Sequence, residues 1–386
     1  MAGAPSLPRV LEGVRVVEFS QLIAAPFCGL TLLDLGAQVI KVEPPGGDPM
    51  RGFPPELKDG QGGLFAALNR GKRSVVADLG NSAGRDLARR LIAGADVVVE
   101  NLGDARGQLG LSFDEAASRR PELVWCAITG WGHGAAGRAI DPSLQAAMGL
   151  ISITGEASGG PVRIPVPLVD FMTGMYAIQA VLVALWRSRQ DGTGAFLDCA
   201  MADATATLAS TSALLALGGH FTPRRLGSES PLAVPSGVFT AQDGEEIQVI
   251  CVTERHWRAL CEALGHPEWA GDPDCADVSA RIANRQLVRE RIAAVIASAP
   301  AADWVERISG QGAICEHVRD IAEAWGDERL LTRGLVGEAP GGPQWAARMP
   351  VVSLARTDAE PPVKLAPAPS LGADTQAVVR ELEGLG

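Results

Sequence analysis

The chain has 386 residues, more than one hydrophobic core usually fills, so two lobes or a large lobe carrying a smaller one are expected. Apolar residues make up 47% and charged residues 20%, the balance of a compact globule rather than of a disordered chain. A formal charge of −11 argues against nucleic acid or an anionic membrane as partner, since both need clustered Lys and Arg, and does not exclude an anionic ligand held by a local basic patch.

In chain order, "VRVVEF" (14–19) reads as a strand, "FCGLTLLDLGA" as a helix and "QVIKVE" (38–43) as a second strand, which makes a βαβ opening. The pattern continues with "SVVADL" (74–79), a helix capped at Asn81 or Ser82, "DVVVEN" (96–101), a further helix, and "LVWCAIT" (123–129). Alternating strands and helices imply a parallel sheet covered on both faces, with ligands at the carboxyl ends of its strands, here loops 43–73 and 100–108. No GxGxxG follows the first strand and no GxxxxGK[ST] occurs, which argues against a dinucleotide site or a P-loop. The longest apolar run, Phe171 to Trp186, is shorter than the roughly 20 residues of a membrane span and predicts a buried helix. Beyond residue 220, "SGVFTAQDGEEIQVICV" (236–252) reads as a hairpin turning at Asp243-Gly244, followed by a helix, as in a small α+β unit. The tail is a proline-rich extended segment ending in a short helix.

The seven cysteines are scattered, with no CxxC or metal-ligand spacing, so no metal site and a reducing, cytoplasmic setting are expected. The segment "MAGAPSLPRVLEGVRVVEF" lacks both the basic start and the apolar core of a signal peptide. Asp170, in "VPLVDFMTG", precedes the long apolar helix, where a carboxylate caps free backbone N–H groups. The same position keeps a carboxylate ionised and anchored, as a nucleophile must be, and residue type alone leaves both roles open.

Taken together, "GVRVVEFSQLIAAPFCGLTLLDLGAQVIKVEPPGGDPMRG", "LNRGKRSVVADL", "ADVVVEN", "ITGWG", "DPSLQAAMGLISITGE", "VPLVDFMTGMYAIQAVLVALWRSRQDGTG" and "APAPSLGADT" resemble the family III CoA-transferases, the CaiB/BaiF group. The resemblance implies a Rossmann-like large α/β domain over residues 1–224, a small α+β domain over 225–320, and a C-terminal segment, 321–386, returning to the large domain. It also implies an interlocked homodimer. Asp170 is then the nucleophile that takes CoA from an acyl-CoA through a covalent aspartyl thioester and passes it to a small carboxylic acid, with no metal and no tightly bound cofactor.

By the same resemblance Ile23, Ala24, Arg51, Asn69, Arg70, Lys72, Arg73, Asn101 and Leu102 meet the CoA. The family commonly continues after Leu102 with Arg-Pro-Gly; here "GDARGQLGL" follows, and Arg106 is the substitute. Where the formyl-CoA transferase branch has a glutamine beside its aspartate, this chain has Ile23, with Gln21 two residues away. A 2-methylacyl-CoA racemase of the same fold is the alternative activity. Its aspartate matches Asp170 and its glutamate Glu254, but Ile140 stands where its histidine would be, and His133 lies seven residues earlier. A non-catalytic acyl-CoA-binding protein is the third reading.

Overall fold

Six short apolar runs pair into one parallel sheet: β1 (Arg15–Phe19), β2 (Gln38–Glu43), β3 (Arg73–Val76), β4 (Val97–Glu100), β5 (Val124–Thr129) and β6 (Ala195–Ala200). Their order, β3-β2-β1-β4-β5-β6, is that of a doubly wound fold, in which the direction of winding reverses between β1 and β4. The structure is a computed structural model that describes residues 9–57, 60–219, 222–332, 336–337, 346–347 and 366–384. The first eight residues, on which part of the leader reading rests, and most of the proline-rich tail lie outside that range.

Successive side chains of a strand point to opposite faces, and here both faces are covered. Val16, Val97, Val99, Val124 and Cys126 pack with residues of α1 (Ala24–Asp34) and, farther along the chain, of the helix that begins at Leu168. Val17, Val98 and Trp125 pack on the other side with residues of α3 (Ser82–Ala93), which follows α2 (Gly63–Asn69), and of α4 (Phe113–Arg119). Asn81 caps α3 as expected, its Oδ1 accepting from the Gly84 N–H at 2.8 Å. β6 was not expected from sequence: "AFLDCA" carries no β-branched residue, and its place is set by the ladder it completes along β5.

After β5 come α5 (Asp141–Ala147), the short α6 (Leu150–Ile153), and α7 (Leu168–Asp191). At 24 residues α7 exceeds the length expected from its apolar run, and by length and composition alone it could cross a membrane. In the structure it lies against α1, β5 and β6 through Val169, Ala177, Ile178, Val181 and Leu185. The expectation of burial all round is also corrected. Phe171, Met175, Val183 and Trp186 recur about every four residues and leave one face of α7 exposed, Val183 at 70% and Trp186 at 68%.

The chain divides into two compact units, one of residues 1–148, 165–208 and 325–386, the other of residues 149–164 and 209–324, so the division falls within α8 (Met201–Leu217). Residues 209–224 thus lie outside the first unit, where a boundary at 225 would have put them. The second unit has an antiparallel sheet, β7 (Ser236–Thr240), β8 (Glu246–Ile250) and β9 (Ile314–His317), with the turn at Asp243-Gly244 made by a glycine at φ 84°. β9, "ICEH", is a strand that the sequence did not lead one to expect. Helix α9 (Glu254–Leu264) contributes Trp257 and Leu260 to that unit's own core, α10 (Val278–Ala283) buries Arg281, and α11 (Arg285–Ile296) and α12 (Ala301–Gly310) add Ile292 and Trp304.

Residues 366–384 pair with β3 and the turn before it. The Gly71 N–H donates to Pro367 O at 3.0 Å, Ser74 exchanges hydrogen bonds with Asp374, and Arg73 forms a bidentate pair with Glu381 on the helix Thr375–Leu382.

Candidate active site

Asp170 is the third residue of α7, inside its first turn, and does not cap that helix as expected; Pro167 holds the cap position without a side-chain bond. The capping carboxylate is Asp141, at the start of α5. Its Oδ2 accepts from the N–H groups of Val169 at 2.7 Å and Asp170 at 3.4 Å, and its Oδ1 from Gln145 Nε2 at 2.7 Å. With α7's free N–H groups supplied by Asp141, the Asp170 carboxylate is left for another partner. The backbone N–H of Ala24, the first residue of α1, faces it. Two helix N-termini therefore converge on Asp170, and both favour negative charge there.

That convergence needs α1 and α7 to cross closely, which Gly174 permits. A Cβ at Gly174 would come within 2.6 Å of Phe27 Cδ1 and 2.9 Å of Ala24 O. One turn away the Phe27 and Phe171 rings meet edge to face at 4.9 Å. The loop leading into α1 is strained. Leu22 has φ 65°, a left-handed conformation that a leucine rarely adopts, and Asn101 holds that loop from both sides. Its Oδ1 accepts from the Gln21 N–H at 3.0 Å and its Nδ2 donates to Gln21 O at 2.8 Å. Because Gln21 follows β1 and Asn101 follows β4, this clamp spans the point where the winding reverses, the usual ligand position in such sheets.

Burial and the neighbouring Asp141 charge push the Asp170 carboxyl up to about 7, and the Ala24 N–H opposes them. At neutral pH the group is thus divided between carboxylate and acid.

Beneath α1 lies a buried ionic cluster. Lys72 Nζ donates to Glu18 Oε2 at 2.8 Å, Asn69 Oδ1 at 2.9 Å and Pro26 O at 2.8 Å, while Lys41 reaches Glu18 at 3.3 Å, Ser20 O at 2.8 Å and Asp48 at 3.0 Å. Burial pulls the Lys72 amine down to about 8, and Glu18 pulls it back up. The bond to Pro26 O ties the cluster to α1's first turn. Glu18, Lys41 and Asp48 were not singled out from sequence, because nothing local shows that residues 23 and 54 positions apart share one pocket.

The expected basic patch for CoA takes a different form here. Lys72 and Asn69 are buried in that cluster, and Arg70 forms a bidentate pair with Asp34 at 2.7 and 2.6 Å, only 4% of its side chain exposed. Arg51 pairs bidentately with Glu43, donates to Pro369 O and stacks over Phe65 at 3.8 Å, while Arg73 is held by Glu381. In so acidic a chain each of these cations already has a carboxylate or internal acceptors. Of the residues expected to meet CoA, Ile23, Ala24 and Asn101 are the ones the fold gathers around the loop facing Asp170.

Leu102 and Arg106 stand at the carboxyl end of β4. The Leu102 N–H donates to Glu100 Oε2 at 2.8 Å, and Arg106 reaches Glu100 Oε1 at 2.5 Å and His133 Nδ1 at 2.6 Å. His133, read as a plain loop residue, also sits edge-on to Phe196 at 5.1 Å and donates its N–H to Asp198. Glu254 is occupied by a bidentate pair with the buried Arg281. Ile140, where a racemase base would stand, precedes α5 and is 57% exposed. Trp125 is core, whereas Trp131 and Trp186 are exposed. Among the described residues no group of three His, Cys, Asp or Glu could hold a metal.

The chain is 33% identical to a succinate–glutarate CoA-transferase of Agrobacterium fabrum, over 99% of this chain and 98% of that protein. It is 32% identical to a succinyl-CoA:mesaconate CoA-transferase of Haloarcula hispanica, over 78% and 76%. A crystal structure of a CaiB/BaiF family protein from Brucella suis superposes with a TM-score of 0.82 at 31% identity, covering 98% of this chain and all of that one. The family model of CoA-transferase family III matches residues 11–375, so on sequence and on fold alike the chain belongs to that family.

Proposed function

We propose that this enzyme moves CoA from succinyl-CoA to a small dicarboxylic acid through a covalent intermediate on Asp170. The observation that carries the reading is the placement of one partly buried, ionisable carboxylate at two helix N-termini in a chain of this family. The substrates follow from the relatives, whose names pair succinyl-CoA with glutarate, mesaconate and malate.

The Asp170 carboxylate attacks the thioester carbonyl, forming a mixed anhydride and expelling CoA thiolate. The thiolate then attacks the aspartyl carbonyl, the donor leaves as its free acid, and an aspartyl-CoA thioester remains. The acceptor carboxylate attacks that thioester, and the expelled thiolate attacks the acceptor's acyl carbon, restoring Asp170. Each tetrahedral step develops an oxyanion. The N–H groups of Ile23 and Ala25 at the start of α1 have no partner among the described residues, and with Ala24 they are the donors suited to it. A mass spectrum after brief exposure to succinyl-CoA should show a gain of one CoA less one water, absent in Asp170→Ala. An adduct that persists in the variant would refute the role of Asp170.

The working form in this reading is a homodimer. A single chain leaves Trp186 and Val183 on α7 and Leu214 and Leu217 on α8 in water, Leu217 at 87%. Sedimentation should show a dimer that Trp186→Glu weakens; a monomer at micromolar concentration would overturn this.

A further inference from the structure

The second unit contains a cleft of about 490 Å³ with no part in the chemistry above. Three arginines line it, Arg224, Arg225 and Arg285, together with Ser152 and Glu229. Glu229 is already neutralised by Arg285 at 2.8 Å and Arg289 at 3.3 Å. Among the described residues neither Arg224 nor Arg225 has a hydrogen-bond or ion-pair partner, in a chain whose formal charge is −11.

Arg225 is held ready. Its Nε is out of contact with water and donates to nothing, a buried donor of the kind that folded proteins almost always satisfy. Its stem lies against Gly155, where an added Cβ would come 3.2 Å from Arg225 Cδ. The two loops are joined by the Gly227 N–H donating to Gly155 O at 2.9 Å. Arg285 is fixed by Ser230 O at 2.9 Å as well as by Glu229. Arg225 and Arg285 therefore sit on a braced frame rather than on free surface chains.

We infer that this cleft binds a small dianionic molecule, with Arg224 and Arg225 supplying the two uncompensated charges. Two cations without counter-charge match a dianion, and the space is much larger than a single inorganic ion needs. Guanidinium forks pair bidentately with carboxylate and with phosphate alike. A dicarboxylate is the class that the proposed reaction handles, and only this choice of first ligand rests on that reading.

The test is calorimetric titration of the full-length protein carrying Asp170→Ala, so that no transfer occurs, with succinate, glutarate and inorganic phosphate, and with CoA against dephospho-CoA. Saturable binding of a dianion, weakened about 10-fold or more by Arg225→Gln, supports the site. Preference for dicarboxylate or for phosphate, or a gap between CoA and dephospho-CoA, identifies which source fills it. Arg224→Gln, an exposed position, gives the same readout should Arg225→Gln impair folding. Binding unchanged in both variants, or no binding in a protein that melts cooperatively, overturns the inference. Adduct formation from succinyl-CoA in Arg225→Gln protein with Asp170 intact reports separately on the Asp170 chemistry.

Discussion

Asp170→Asn should stabilise the protein, by an amount that depends on pH in a way that only the site's electrostatics explain. The folded-state pKa of about 7 lies about 3 units above the ordinary value of 3.8. At 1.36 kcal/mol per unit this is at most about 4 kcal/mol. Below the unfolded value both states hold the proton and nothing is lost. Between 3.8 and about 7 the unfolded chain ionises first, so stability falls as pH rises. Above that window both states are ionised and the penalty is constant. Water screens a partly exposed carboxylate, so a gain of roughly 2 kcal/mol in the asparagine variant is expected at pH 8, shrinking to less than half of that near pH 5. Urea unfolding at both pH values measures it. A gain equal at the two, or none at pH 8, would refute the account of burial plus the Asp141 charge. Asp141→Asn, which keeps an oxygen for the Val169 N–H, should move the acid limb of kcat/KM down by about one pH unit, because only the smaller of the two raising causes is removed.

Two further substitutions test what holds the site in place. Gly174→Ala should cost about 1–3 kcal/mol and lower kcat far more than it changes the KM for acyl-CoA, since its Cβ would push α1 and the Ala24 N–H away from Asp170; wild-type kcat would show that the close crossing is dispensable. Lys72→Met should destabilise by about 3–5 kcal/mol by leaving the Glu18 charge buried with one fewer partner, and Glu18→Gln in the same chain should recover part of that loss. A double variant no more stable than Lys72→Met would show that the pairing is not the cause.

Much of the fold was legible because its signals are local. β1, β2, β4 and β5 are runs of valine and isoleucine, Asn81 caps α3, and Asp243-Gly244 turns the hairpin. β6 and β9 were not legible, because neither run has a strong intrinsic preference and each is made a strand by its neighbour. Asp170 could be singled out from sequence through the motif around it. Its cap role was misassigned because the residue that caps α7, Asp141, comes from 29 positions earlier in the chain.

The sequence by itself determined the periodicities, and so the alternation of strands and helices, and it carried the motifs that point to the family. The tertiary structure decided which charges meet. Lys41, Lys72, Glu18 and Asp48 form one buried cluster, Arg51, Arg70 and Arg73 are each bound to an acid, and Asp170 faces the start of α1 instead of capping its own helix. The reason is that electrostatic partners are chosen by distance in space and by exclusion from water, and neither is a property of neighbouring residues along the chain.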